Sequence, residues 1–287
     1  MPLITRVWSR ISSVRWEDVW IERLQFAGVE SLVIKKFPAS RSIRLDLYTD
    51  AITAMRLRKA FGGTIRIFNA SAWRPTTPKI TDPLRIGGKL RIYRDKILFK
   101  KEKAIGRGAP LLIPTGMAFG TGDHATTARC LQLLVEATGK SLGSLKNWSL
   151  LDLGCGSGIL SLSAELLGAR KILGVDFDQN CVRISKENAV LNRLSCARFV
   201  KADVLHWKTS GSYDIVVANL YSTILTAASE MIVKAVAPGG ILIFSGILTV
   251  EIGSISNMFA KFDLNHVKTL KRGKWGAVML RKGHKIT

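Results

Sequence analysis

This sequence of 287 residues predicts a doubly wound α/β domain preceded by a smaller α+β domain. Three observations carry the expectation. The second half alternates near-continuous apolar runs of strand length with helical stretches, the pattern of a parallel sheet covered by helices on both faces. The first half instead places short, period-two β runs around two amphipathic helices. Between the halves lies a stretch rich in Pro, Gly and Lys/Arg.

In order, Ile4 to Ile11 reads as a first strand. Trp16 to Ala27 reads as an amphipathic helix with Val19, Leu24 and Phe26 among its apolar positions, and Gly28 sits where a helix stops. Ser31-Leu-Val-Ile34 and Ser42-Ile-Arg-Leu-Asp-Leu-Tyr48 follow as strands, with Pro38 marking the turn between them. A second helix runs from Ala51 to Phe61 and ends at Gly62-Gly63; Thr64-Ile-Arg-Ile-Phe68 is the next strand. The order β-α-β-β-α-β is the ferredoxin-like split pattern, assigned to residues 1–70. Residues 71–114 read as a linker carrying a small hairpin that includes Lys89-Leu-Arg-Ile-Tyr93. The α/β domain is expected over 115–287. Its strands are Ser149–Cys155, Lys171–Phe177, Cys196–Asp203, Tyr213–Leu220 and Gly240–Ser245. Its helices are Gly158–Leu167, Asp178–Asn192, Ser222–Val236 and Val250–Lys261, and a terminal hairpin turns around Gly273.

Composition bounds the class. Hydrophobic residues make up 47% of the chain, ample for a packed core. No apolar run approaches the roughly 20 residues that a spanning helix needs. The N-terminus breaks its apolar residues with arginines and lacks a secretory h-region. Cys130, Cys155, Cys181 and Cys196 lie far apart, with no C-x-x-C pair, which suits reduced thiols in the cytoplasm and no metal site. The charge is lopsided: 43 Lys+Arg against 21 Asp+Glu, a formal net charge of +22. Residues 1–128 hold 23 of those cations against 10 acids, and residues 129–287 hold 20 against 11. Such a surface attracts polyanions in a salt-dependent way, so contact with RNA or an RNA-rich particle is expected; a solvated basic surface would look the same. A monomer is the default expectation.

The chemistry centres on Ser149-Leu-Leu-Asp-Leu-Gly-Cys-Gly-Ser-Gly158, a buried strand running through glycines into a helix. Glycines allow the tight turn and the close approach of a ligand to the backbone, and the helix start offers unpaired N–H groups. The dinucleotide fingerprint G-x-G-x-x-G is not met, because Ile159 holds the third glycine position and Gly158 comes one residue early. Asp176 ends the next strand, 20 residues after Gly156, where a carboxylate suits a ribose diol. Asp203, after the third strand, could accept from an adenine amine or cap a loop. Asn219, after the fourth, stands at the carboxyl edge with both a donor and an acceptor to steer an incoming amine.

These residues, together with Asn188-Ala-Val-Leu-Asn192, resemble the class I S-adenosylmethionine-dependent methyltransferases, whose domain is Rossmann-like. Met117-Ala-Phe-Gly-Thr-Gly-Asp-His-Ala-Thr-Thr127, Val217-Ala-Asn-Leu220 and Ser245-Gly-Ile-Leu248 resemble, more narrowly, the PrmA-type methyltransferases. That resemblance is strong over about residues 110–250 and architectural before residue 70. It implies transfer of methyl groups from S-adenosylmethionine to lysine and N-terminal amines of a large-subunit ribosomal protein, the eleventh. It carries cofactor contacts onto Thr127, Gly154, Asp176 and Asn219, and gives Asn219 the catalytic position. Phe119, Gly120 and His124 match the family's loop over the cofactor, and the first 70 residues match its substrate-recognition domain. The loop departs from the family at Asp123 and Ala125, where Thr and Pro are usual. Two alternatives stay open: methylation of RNA, which the lack of an Asn-Pro-Pro-aromatic turn after Asn219 weakens, and a non-catalytic protein that keeps the fold and docks on RNA.

Overall fold

The structure is a computed structural model that describes residues 5–14, 17, 20, 24, 32–37, 41–68, 82–102, 104–114, 124–140, 147–209 and 211–284. The chain divides into two compact units, Met1–Lys79 and Ile80–Thr287.

In the first unit β1 (Thr5–Ser13), β2 (Leu32–Lys36), β3 (Ser42–Thr49) and β4 (Thr64–Phe68) form one sheet of order β2-β3-β1-β4. Every neighbouring pair is antiparallel, as in the split β-α-β-β-α-β pattern. Helix α1 (Ala51–Phe61) connects β3 to β4. It starts where the Asp50 carboxylate accepts from the N–H groups of Ile52 and Thr53, and stops at Gly62, whose φ of +70° suits a residue without Cβ. Alternation places Ile43, Leu45 and Leu47 on one face, packed with Trp8, Trp20, Ala54 and Leu57. The expected helix over Trp16–Ala27 lies mostly outside the described residues. Within it, Leu24 N–H donates to Trp20 O at 3.0 Å.

The second unit begins with a three-stranded sheet, β5 (Leu84–Ile86), β6 (Leu90–Tyr93) and β7 (Ala109–Leu112), with α2 (Lys96–Glu102) between the last two strands. The hairpin expected within the linker is β5–β6, and β7 extends it into a sheet that shares the core of the α/β domain, through Ile86, Leu90, Ile92 and Leu111. The buried Arg91 makes this possible. Its guanidinium donates to the carbonyls of Gly108 and Glu102 and to Tyr93 Oη, so a charge inside the sheet gains partners.

Helix α3 (Ala125–Lys140) leads into the main sheet. Its strands are β8 (Ser149–Leu153), β9 (Lys171–Asp176), β10 (Ala197–Lys201), β11 (Tyr213–Asn219), β12 (Val236–Leu248), β13 (Leu264–Arg272) and β14 (Trp275–Lys282). The order is β10-β9-β8-β11-β12-β14-β13, with the first five parallel and β14 antiparallel to both its neighbours. Helices α4 (Ile159–Leu166) and α5 (Gln179–Leu191) follow β8 and β9; α6 (Ser222–Ala227), α7 (Ser229–Ala235) and α8 (Ile252–Ala260) follow β11 and β12. Two apolar clusters cover the two faces of the sheet. The helix expected over Ser222–Val236 is broken at Ala228, which closes α6 and opens α7.

Two polar contacts fix the ends of strands. Ser149 N–H and Oγ both donate to Asp214 Oδ2, at 2.8 and 2.7 Å, and Glu165 accepts from the N–H groups of Ser195, Cys196 and Ala197 at 2.9–3.2 Å. The strand order reverses at β8, which lies between β9 and β11. At such a switch point the chains leave in opposite directions and open a crevice beyond the carboxyl ends of the strands.

Gly158, at the start of α4, has φ +79°, and a Cβ there would lie 2.9 Å from Ser185 Cβ and 3.1 Å from Phe199 Cζ. Both left-handed strain and crowding oppose a side chain. Gly158→Ala should lower stability by about 1–3 kcal/mol in urea denaturation monitored by circular dichroism; an unchanged midpoint would contradict the packing described.

Candidate cofactor and acceptor site

The turn after β8 sits at the switch point. Gly154 and Gly156 take φ of +72° and +53°. Gly154 and Cys155 donate N–H to Val175 O at 2.9 and 3.0 Å, so the turn is laced to the end of β9. There the Asp176 carboxylate, 6% exposed, accepts from Gly156 N–H at 2.9 Å through Oδ2 and from Asp178 N–H at 3.0 Å through Oδ1. Burial raises its pKa, and these backbone donors act against the rise. A carboxylate offers about four lone-pair sites. With one per oxygen engaged, each oxygen keeps another, a pair suited to two adjacent hydroxyls.

Parallel pairing brings the acceptor side in. Leu153 pairs with Ala218, so Gly154 and Asn219 leave neighbouring strands at the same level. Asn219 Nδ2 donates to Thr127 Oγ1, near the start of α3, at 3.4 Å. Asn219 Oδ1 is buried without a hydrogen-bond partner. A small cleft is lined by Thr127, Gly154, Cys155, Gly156, Ile159 and Asn219. Thr127, Gly154 and Asn219 thus line one cleft, and Asp176 holds its floor through Gly156.

Behind the turn, Asp152 is fully buried. Its Oδ2 accepts from Ser161 N–H and Oγ at 3.2 and 2.7 Å, and burial pushes its pKa up to about 7. His124 Nδ1 lies 2.7 Å from Thr126 Oγ1, and its ring meets Trp275 edge to face at 5.1 Å. Phe119 and Gly120 lie outside the described residues, as does Asp123. Asp203 is a turn cap: it accepts from Leu205 N–H at 3.0 Å and lies 2.8 Å from His206 Nδ1. Backbone hydrogen bonding to Leu205, then the His206 bond, lowers its pKa; with one partner on each oxygen, lone pairs remain for an adenine amine. Among the described residues no cluster of three or more His, Cys, Asp or Glu is placed to hold a metal.

Comparison with known proteins decides the family. The family model for ribosomal protein L11 methyltransferase (PrmA) matches residues 15–283. The chain belongs to the PrmA family. A ribosomal protein L11 methyltransferase of Geotalea daltonii is 32% identical over 285 residues, covering 94% of this chain and 89% of that protein. One of Citrifermentans bemidjiense is 36% identical over 200 residues, 70% of this chain and 63% of that protein. The crystal structure of a ribosomal protein L11 methylase from Lactobacillus delbrueckii subsp. bulgaricus superimposes with a TM-score of 0.61 at 24% identity, over 71% of this chain and all of that one. That likeness shows the fold. Two residues near the cleft were not singled out in the sequence: Ile159, read only as a missing glycine, which lines it, and Glu251, which accepts from Ser222 Oγ three residues past Asn219.

Asp152 gives a pH dependence. The folded chain keeps its proton up to about pH 7, whereas the ordinary value is 3.8. Unfolding therefore releases a proton between these values, and this group's contribution to stability is lost as pH rises through that window. Asp152→Asn should gain stability over wild type progressively from pH 4 to 7, with no further gain above. A difference independent of pH in parallel urea titrations would contradict the assignment.

Proposed function

We propose that the protein transfers methyl groups from S-adenosylmethionine to lysine and N-terminal amines of ribosomal protein L11. The observation that carries the reading is Asn219 Oδ1, a buried acceptor without a partner in the cleft that the glycine turn also lines. A Cβ on Gly154 would lie 2.6 Å from Leu220 Cδ2, so glycine lets Leu220 pack against the turn, and the fit to the cofactor rests on the orphaned Asn219 Oδ1 and the carboxylate of Asp176. Asp176 would hold the ribose hydroxyls with its remaining lone pairs, and Thr127 and Gly154 would bound the amino-acid end.

When bound, S-adenosylmethionine supplies a methyl group already activated by its sulfonium. The work left to the chain is alignment. Asn219 Nδ2 is held by Thr127, which leaves Oδ1 to accept an N–H of the incoming amine and aim its lone pair. A lysine, with an ordinary pKa near 10.4, must arrive neutral, and the low polarity of a cleft lined by Ile159 and Cys155 favours that form. His124 takes no proton-transfer role here: its ring contacts Thr126 and Trp275, as an anchor of the loop would.

Three further parts complete the proposal. The first unit recognises the protein substrate, the basic surface adds contacts to ribosomal RNA, and the protein acts as a monomer in the cytoplasm. No helix among the described residues is long and apolar enough to cross a membrane.

Radiolabelled S-adenosylmethionine incubated with unmodified ribosomal subunits should place label in one small ribosomal protein after RNA is stripped away. Label in RNA alone would overturn the substrate. Asn219→Ala should lower turnover on the order of 10²-fold, the loss expected from a misaligned acceptor; unchanged turnover and cofactor affinity would refute the site. His124→Ala should keep the wild-type pH profile, and a lost limb in that profile would make His124 a base.

A further inference from the structure

We infer that Glu251 is a positioning residue that fastens the segment carrying Asn219, an inference that rests on the function proposed above. Glu251 lies past β12 and caps α8. Its Oε2 accepts from Leu248 N–H at 2.7 Å, and its Oε1 accepts from Ser222 Oγ at 2.7 Å. One carboxylate thus bridges the two segments that leave β11 and β12 at the carboxyl edge.

The Leu248 bond has a plain structural explanation. Glu251 N–H donates back to Leu248 O at 3.0 Å, and the reciprocal pair closes the turn between β12 and α8. The Ser222 bond lies outside that explanation, since it reaches back 29 residues. Ser222 opens α6, three residues past Asn219. Between them, Leu220 N–H donates to Ser245 O at 3.0 Å. Gly246, at φ +84°, lets the next segment pass so close that a Cβ there would lie 2.5 Å from Leu220 O. Asn219 is therefore held from the strand side by its pairing with Ser245, and from the helix side by Leu220 and by the Ser222–Glu251 bond. The neighbours Tyr221 and Val250 are 41% and 85% exposed, and the carboxylate bridge adds a polar tie to the packing of Leu220, Leu225 and Ile252 against the core.

Alignment is the step such a bridge would serve, and small misplacements of aligned groups are costly. A glutamine can keep both contacts, accepting from Leu248 N–H through its carbonyl and donating to Ser222 Oγ through its amide. An alanine keeps neither.

The test compares Glu251→Ala, Glu251→Gln and Ser222→Ala with wild type. Both alanine variants should lower kcat about tenfold, with the dissociation constant for S-adenosylmethionine within about twofold of wild type, because the cofactor residues are untouched. The double alanine variant should be no slower than Glu251→Ala, as expected of groups acting through one bond. Glu251→Gln should recover most of the rate. In the free proteins, hydrogen exchange at the Leu220 amide should quicken in both alanine variants and not in Glu251→Gln. Additive losses, a parallel fall in kcat, cofactor affinity and melting temperature, or unchanged exchange at Leu220 would each overturn the inference. If wild type labels no amine, the proposed function fails, and exchange at Leu220 alone then decides whether the bridge holds this segment.

Discussion

The Asp176 carboxylate and the turn it serves are a single unit. One oxygen holds Gly156 N–H and the other holds Asp178 N–H, so the end of β9, the glycine turn after β8 and the start of α5 share one anion. Its burial is tolerated because these donors replace water. The same two bonds leave half its lone pairs available, which is why a structural tie can also be a binding group. Parallel register then does the rest. With Leu153 opposite both Val175 and Ala218, the residues that follow each strand emerge side by side at the switch point, and no loop need be long to bring Gly154, Asp176 and Asn219 together.

Around this unit the buried polar side chains mostly serve backbone. Glu165 closes the start of β10, Asp214 the start of β8, and Asn188 Nδ2 donates to Ser157 O at 2.9 Å behind the glycine turn. Asn192 exchanges two hydrogen bonds of 2.7 Å with the backbone of Leu112, tying the three-stranded sheet to α5. Each removes an orphan backbone group at a strand or turn end, where an unpaired group would be costly. Asp152 differs in meeting burial by holding its proton, with Oδ1 left without a partner, and Asn219 in leaving an acceptor unused at the cleft. The first is a cost to stability at neutral pH; the second is the feature that a substrate can complete.

Much of this was legible because it is local. Ala51–Phe61 and Thr64–Phe68 end where glycine and strand periodicity mark them, and the parallel strands agree with their apolar runs to within a few residues. The glycine turn and its spacing to Asp176 were readable because a tight turn and a strand end both impose residue types. What escaped depends on distant partners. The hairpin at Lys89–Tyr93 was readable, but its place in the core was not, because its strands are short and basic and Arg91 becomes a core residue only once the Glu102 and Gly108 carbonyls fold over it. The break at Ala228 has no glycine or proline to announce it. The Ser222–Glu251 bond joins residues with no relation in sequence until β11 and β12 pair.

Calorimetric titration of S-adenosylmethionine into wild type and Asp176→Asn tests the central claim most directly. The account predicts one site in the wild-type protein and binding at least about tenfold weaker in the variant, given about 1.5–3 kcal/mol for a hydrogen bond to a charged group. Equal affinity in the two proteins, or no binding to wild type, would contradict it.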